Sequence, residues 1–385
     1  MRLNLTGKKI STYLIAIYFL FIPFDFIQIF PSISLAKVIA VLPILAVILE
    51  YKRIRLRFDY FFMLSITYIT VHMLSIMYSI SLDSSISVLI SITTNIVLIL
   101  FMSAIPNTTF DMKILANSIL YSSWLVLIAT IVLSFGNIQQ GRLTLSMFGS
   151  NQDPNYLVGY IIYPILYYLY EYFKSKRFIN ILIMAIFIAF VLFTGSRGGL
   201  LAVITATVTL LILYAIQSKN SAKWWKYFFV STVSIVVLIY ISTQLLPIDI
   251  RNRFSINEII VGNGTGRYDI WQDLLRSYKD FSVFSKLFGV GAGTSYLYTG
   301  GLYAHNVWLE TLIGVGLIGV VFLIIYYVYL ITLSYKHKNI VLTATILGYL
   351  VMGLSLSLIA YKPLWSIIFL VISYAKTLKS KIRLQ

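Results

Sequence analysis

Residues 178–217 read FINILIMAIFIAFVLFTGSRGGLLAVITATVTLLILYAIQ. A membrane-spanning helix needs about 20 predominantly apolar residues, so two spans must share this stretch back to back. Their connection is compressed into Thr194-Gly195-Ser196-Arg197-Gly198-Gly199, which holds Arg197 at the outer edge of the hydrocarbon. An ionisable residue at that depth is a functional candidate by default; the plainer reading is an arginine that anchors a helix end. The three glycines allow a ligand or a neighbouring helix to approach the backbone closely.

The rest of the chain has the same character. Of its 385 residues, 59% are hydrophobic, 16% aromatic and only 11% charged. Soluble proteins carry roughly 25% charged residues, which excludes a water-soluble globule. Twelve spans would use about 240 positions, close to the hydrophobic fraction, and leave almost nothing for a soluble domain. The formal charge of +17 does not indicate nucleic acid, because the basic residues lie in short clusters between apolar runs, where they set membrane orientation. With no cysteine, disulfides and Cys-based metal or redox chemistry are excluded. Three histidines leave little scope for a multi-His metal site, so neither metal nor cofactor is expected.

Apolar runs predict an all-α polytopic protein, a single membrane domain over 1–385. Its spans fall near 11–30, 33–50, 58–80, 83–105, 111–135, 153–173, 177–195, 198–217, 224–246, 304–333, 339–358 and 359–377. The second is short and the last two are nearly continuous. The run over 13–30 is longer than a signal-peptide core, so it is expected to stay as the first span although Ser34-Leu35-Ala36 resembles a cleavage site. Placing the N-terminus in the cytoplasm puts two thirds of the lysines and arginines inside, and both termini are then cytoplasmic. The cytoplasmic loops are short and hold neither a D-x-D pair for a nucleotide sugar nor a phosphate-binding G-x-x-x-x-G-K-[ST] loop. The one large extramembrane segment, 247–303, faces outward, so chemistry is expected on the outer side without a cytosolic nucleotide.

Within that loop Arg267 to Phe281 reads as an amphipathic helix. Tyr268, Trp271, Leu274, Leu275, Tyr278 and Phe281 recur at three- and four-residue spacing, with Asp269, Asp273, Arg276 and Asp280 on the other side. Such a helix is expected in the outer interface with its aromatic face toward lipid, or as a cover for the bundle. Gly262, Gly264, Thr265 and Gly266 lead into Arg267. Free N–H groups at a helix start attract anions, and a guanidinium adds bidentate phosphate binding. The alternative is an arginine snorkelling to lipid head groups.

His305, in Ala304-His305-Asn306, opens the tenth span at the level of Arg197. A lone histidine is usually structural, but a neutral imidazole is also the natural proton acceptor near pH 7. Glu310 is a buried acid that orients or balances nearby charge, or packs its helix through Asn306. His72 reads as a satisfied core histidine and His337 as a solvated cytoplasmic one. Gly314-Val315-Gly316-Leu317-Ile318-Gly319 matches G-x-G-x-x-G but lies inside a span, where it reads as small-residue helix packing. Asp153-Pro154-Asn155 is an N-cap followed by proline, which helix initiation explains.

Taken in order, Thr194-Gly195-Ser196-Arg197-Gly198-Gly199, Gly266-Arg267-Tyr268-Asp269-Ile270-Trp271 and Ala304-His305-Asn306 through Glu310 resemble the O-antigen polymerase and ligase superfamily, the Wzy/WaaL-type membrane glycosyltransferases. The resemblance covers roughly 140–330; the first 135 residues share only hydropathy. It implies a GT-C-like bundle in the bacterial cytoplasmic (inner) membrane that serves lipopolysaccharide or exopolysaccharide synthesis. The implied reaction is metal-independent, inverting transfer of glycan from an undecaprenyl-diphosphate-linked donor to an acceptor hydroxyl. By this analogy Arg197 and Arg267 hold the diphosphate and His305 deprotonates or positions the acceptor. Arg251 and Arg253 add charge for the donor or bind anionic membrane lipids.

Polymerase and ligase differ in acceptor: another lipid-linked unit, or lipid A-core. The compact chain and modest loop favour a polymerase, for which a chain-length-regulating co-polymerase is an implied partner. A secondary transporter or flippase of lipid-linked sugars, the competing class, would show internal repeats and broken mid-membrane helices. Pro23 and Asp25 in the first span and His72 in the third are the only hints of that.

Overall fold

The computed structural model describes residues 3–30, 33–54, 56, 58–134, 142–218, 229, 232, 233, 236, 240, 244–255 and 266–382. It is an all-α multi-pass membrane protein. Four described helices are long and apolar enough to cross a membrane: Leu82–Ala104, Thr109–Leu133, Arg197–Ser218 and Val307–Lys336. Shorter apolar helices pack around them.

In chain order the helices are α1 (Leu3–Phe21), α2 (Leu35–Ile39), α3 (Val41–Leu49), α4 (Tyr60–Ile76), α5 (Leu82–Ala104), α6 (Thr109–Ser134), α7 (Pro154–Ser175), α8 (Ile179–Phe193) and α9 (Arg197–Ser218). There follow α10 (Ile248–Arg253), α11 (Arg267–Asp280), α12 (Val283–Phe288), α13 (Val307–Lys336), α14 (Ile340–Met352) and α15 (Lys362–Ile382). Apart from 224–246, which falls largely outside the described residues, each expected span carries helix. The second is broken into α2 and α3. The last two are separated by a non-helical stretch at 353–361, where the sequence reads as nearly continuous span.

Small residues set the closest packing in the bundle. A Cβ on Gly348 of α14 would lie 2.9 Å from Ala206 Cβ and 3.3 Å from the Ala202 carbonyl of α9, so these two helices meet almost backbone to backbone. Asp25, a hint of a transport pathway, is instead paired with Lys362 at the start of α15 and accepts from Ser34 Oγ at 2.8 Å. A charge on the first span is thus satisfied within the protein.

The glycine run in α13 is a break rather than a packing stripe. Gly316 has φ 73° and ψ −171°, a region open essentially to glycine alone. The backbone of Gly289–Gly293 lies against the break: Val290 N–H donates to Ile313 O at 3.0 Å and Gly291 N–H to Gly314 O at 2.9 Å. A Cβ on Gly316 would overlap the Leu287 carbonyl, and one on Gly289 the Gly314 carbonyl. The carbonyls freed by the break are therefore met by loop amides. On its far side the loop is held by α4 and α5, with Ser85 Oγ donating to Ala292 O at 2.8 Å and Ala292 N–H to Ser75 Oγ at 3.3 Å. Gly316→Ala combines a forbidden backbone angle with a clash against fixed backbone. It is expected to destabilise the protein by on the order of 2–4 kcal/mol, read as a lower thermal unfolding midpoint in detergent; an unchanged midpoint would contradict the break.

Candidate active site

A short hairpin assembles one side of the site. β1 (Leu145–Met147) and β2 (Ser150–Gln152) pair antiparallel with Leu145 opposite Gln152, turning through Phe148 and Gly149, both at positive φ. Continued past its ends, that register sets Arg142 opposite Asn155, and Arg142 Nη2 donates to Asn155 Oδ1 at 2.9 Å. Arg142 Nε reaches the Thr194 carbonyl at 2.9 Å, and Leu143 N–H donates to Phe193 O at 3.0 Å. The hairpin is thereby stitched to the turn that carries Arg197.

That turn owes its shape to its sequence. Gly195 sits at φ 61°, and Ser196 Oγ accepts from Gly199 N–H at 3.1 Å, capping α9 so that Arg197 becomes its first residue. The three glycines admit protein groups. A Cβ on Gly195 would lie 3.1 Å from Arg253 Cδ, one on Gly198 would overlap the Ser355 side chain, and one on Gly199 would lie 2.8 Å from Val158 Cβ. Arg253, at the end of α10, donates from Nε to the Gly195 carbonyl at 3.3 Å. Arg251 on the same helix is exposed, and among the described residues no contact joins it to the other arginines. Arg267 begins α11 behind Gly266 (φ 80°) and donates from Nη1 to Ser355 O at 2.9 Å. Gly262, Gly264 and Thr265 lie outside the described residues.

Four guanidinium groups, on Arg142, Arg197, Arg253 and Arg267, therefore share one region with one carboxylate, Asp153. Burial pushes Arg142 down to about 10; its cationic neighbours Arg253, Arg267 and Arg197 add to this, and Asp153 opposes it. Burial likewise lowers Arg267, with Asp153 and Tyr156 opposing and Arg197 reinforcing. Both remain cationic at neutral pH. Three helices also begin here: α7 at the Asp153 cap, α9 at Ser196 and α11 at Gly266. Helix N-termini and clustered guanidinium groups both favour a bound anion.

His305 stands next to this cluster at φ 46°. Ala304, before it, accepts from Trp271 Nε1 at 2.9 Å, and Asn306, after it, caps α13 by accepting from Trp308 N–H and Leu309 N–H. Glu310 reaches back from the first turns of α13. Its carboxylate lies near the backbone N–H groups of His305 and Asn306, which favour its ionised form, and Ser357 Oγ donates to it at 2.5 Å. Glu310 thus stands against the His305 backbone, and its own N–H donates to the Asn306 carbonyl at 2.9 Å. Partial burial lowers the imidazole's pKa from 6.5, Arg267 lowers it further, and Asp153 opposes both. Its Nδ1 is buried and, among the described residues, without a hydrogen-bond partner.

The non-helical stretch after α14 ties these parts together. Val307 N–H donates to the Gly353 and Leu356 carbonyls, Arg267 reaches Ser355, and Tyr156 Oη donates to Ser357 O at 3.2 Å. Tyr361 in turn donates to the Tyr156 carbonyl. None of Arg142, Tyr156, Ser355 or Ser357 is prominent in the sequence. The usable signal is Gly353 with two nearby serines ahead of Lys362-Pro363, since proline is tolerated in the first turn of a helix and not in its interior and so marks a new helix start. Asp153 and Asn155 do initiate α7, as Asp153 accepts from Asn155 N–H at 2.7 Å, but they also face the arginines.

Of its two expected placements, α11 takes the one that covers the bundle rather than the one that faces lipid. Leu274 is fully buried, and Ile270, Trp271, Tyr278 and Phe281 pack with it on Val290, Ala304 and Ile313. Its apolar face is turned mainly to protein, although Tyr268 is 54% exposed. His72 departs from the expectation of a satisfied core histidine: it is fully buried, yet among the described residues only Nδ1 is engaged, at 2.9 Å from the Tyr68 carbonyl.

Residues 182–324 match the family model Wzy_C, described as O-Antigen ligase. This segment is a Wzy_C, O-antigen ligase family, domain. It contains Arg197, Arg251, Arg253, Arg267, His305 and Glu310. Arg142, Asp153, Asn155, Tyr156, Ser355 and Ser357, which touch or face the Wzy_C residues, lie outside the match. No curated protein is significantly similar to the chain.

Proposed function

We propose that the protein polymerises lipid-linked oligosaccharide repeats on the outer face of the bacterial cytoplasmic membrane. The observation that carries this is the meeting of Arg142, Arg197, Arg253 and Arg267 around the Gly195 turn, with His305 beside Arg267. In this reading the chain is one membrane domain of about twelve spans in a GT-C-like bundle. Both termini are cytoplasmic, and 247–303 is an external loop.

The donor is a glycan on undecaprenyl diphosphate, whose negative charge suits the arginines. The oxygen of an acceptor hydroxyl attacks the anomeric carbon, and the bond from that carbon to the diphosphate oxygen breaks. The electron pair leaves with the diphosphate, where Arg197 and Arg267 stabilise it, and the hydroxyl proton passes to the His305 imidazole. A single displacement inverts the anomeric centre. Guanidinium groups supply the charge stabilisation that a divalent ion provides elsewhere, so turnover requires neither metal nor ATP. Arg142 and Arg253 add positive charge and hold the turn that carries Arg197.

The acceptor we favour is a second lipid-linked unit, in keeping with the modest external loop. Chain length would then be set by a separate co-polymerase. Ligation to lipid A-core is the second reading, in keeping with the O-antigen ligase family that residues 182–324 match. Purified protein, reconstituted with one undecaprenyl-diphosphate-linked repeat and neither metal nor ATP, is expected to give a ladder of lipid-linked multiples on a gel. Transfer only after adding lipid A-core would make it a ligase. No covalent product with either acceptor would reject transfer and favour transport.

A further inference from the structure

Beside the arginine site lies a cavity of about 530 Å³ lined, among others, by His72, Asp83, Ser87, Tyr296, Glu310 and Ser357. That volume is within the range of roughly 300–1,000 Å³ typical of small-molecule sites. The described lining holds two carboxylates, hydroxyl groups and tyrosine rings, and neither lysine nor arginine. Such a wall suits the hydroxyls and apolar faces of neutral sugars or the ammonium of an amino sugar. It does not suit a diphosphate or a uronic acid.

His72 adds a specific demand. Its Nδ1 lies 2.9 Å from the Tyr68 carbonyl, which can only accept, so Nδ1 carries the proton and Nε2 is a bare acceptor. The side chain is fully buried, it lines the cavity, and among the described residues Nε2 has no hydrogen-bond partner. A buried acceptor is costly to leave unmet, and a ligand hydroxyl would meet it.

The cavity also adjoins the proposed chemistry. Glu310 lines it and lies against the His305 backbone, whose N–H favours its charge. Tyr156 lines it and faces Arg267 electrostatically. We propose that this cavity seats the neutral or amino sugars of the acceptor glycan, with His72 Nε2 accepting from a sugar hydroxyl. The inference rests on the transferase reading above and assigns the second substrate its own subsite, separate from the diphosphate.

Glycan released by mild acid from the strain's lipid-linked repeat lacks the diphosphate, so its binding does not depend on the arginines. Saturation-transfer NMR with this glycan and detergent-solubilised protein is expected to show binding to wild type and to Arg267→Ala alike. Ser87 is exposed at the cavity wall, so Ser87→Trp fills the cavity without disturbing the core and is expected to weaken binding at least tenfold. His72→Leu is expected to weaken it at least fivefold, and glucosamine to compete better than glucuronic acid. The proposal is overturned if wild type does not bind, if either cavity variant binds within twofold of wild type, or if Arg267→Ala loses the glycan. Loss of donor turnover in Arg267→Ala tests the transferase reading separately and leaves this glycan signal in place.

Discussion

Arg267→Ala is expected to lower glycan transfer by about 10²–10³-fold, the usual cost of removing one preorganised group that stabilises developing negative charge. The guanidinium is held by one bond, Nη1 to the Ser355 carbonyl, and its remaining donors have no protein partner among the described residues. Arg197→Ala is expected to act similarly. Arg267→Lys keeps the charge but loses the planar fork that matches phosphate, so it is expected to recover only part of the rate. Membrane insertion of each variant is checked by its yield and monodispersity in detergent. Near-normal turnover in both alanine variants would remove the diphosphate role.

His305→Ala is expected to cost about 10²–10⁴-fold in turnover, the range for general acid–base groups, with donor affinity nearly intact. A pure binding defect with normal turnover would argue against a proton acceptor. The pH profile provides an independent check. Burial and Arg267 hold the imidazole below 6.5, so it is neutral, and able to accept a proton, at pH 7. As pH falls through the lowered value, imidazolium forms and the rate drops. The acid limb, measured from about pH 5 to 8, is expected below the ordinary histidine value. Asp153→Asn removes the carboxylate that opposes the shift, and the limb is expected to move lower still; a limb moving upward would contradict this placement of Asp153.

The two experiments probe opposite faces of one construction. Arg267 begins α11 and His305 precedes the Asn306 cap of α13, and they meet through Trp271 holding Ala304 and through Ser355 holding Arg267. Glu310 lies against the His305 backbone on one side, and Ser357 donates to Glu310 from the other. Substituting Ser357 or Glu310 is therefore expected to change His305 turnover through the surroundings of the imidazole rather than its own chemistry.

Membrane class, most helix positions, and the candidacy of Arg197, Arg267 and His305 were legible in the sequence. Each rests on a local property: an apolar run of the right length, a charge squeezed between two spans, an arginine at a helix start. The two-span stretch at 178–217 suffices for Arg197, because bilayer thickness alone leaves that residue no other depth. Arg251 shows the limit of such reasoning. It was grouped with Arg253 by proximity in sequence, yet only Arg253 reaches the Gly195 carbonyl, because residues two apart on a helix point in different directions.

What only the tertiary structure decided depends on contacts between distant segments. Arg142 enters the site through a hairpin register and a carbonyl 52 residues away. Ser355 and Ser357 sit in what reads as an unbroken apolar run, and their roles come from partners on α11, α13 and α7. The glycines of α13 looked like a packing stripe because composition cannot distinguish a helix that packs closely from one that opens. The break at Gly316 becomes visible only with the Gly289–Gly293 backbone against it, supplying the amides that the freed carbonyls require.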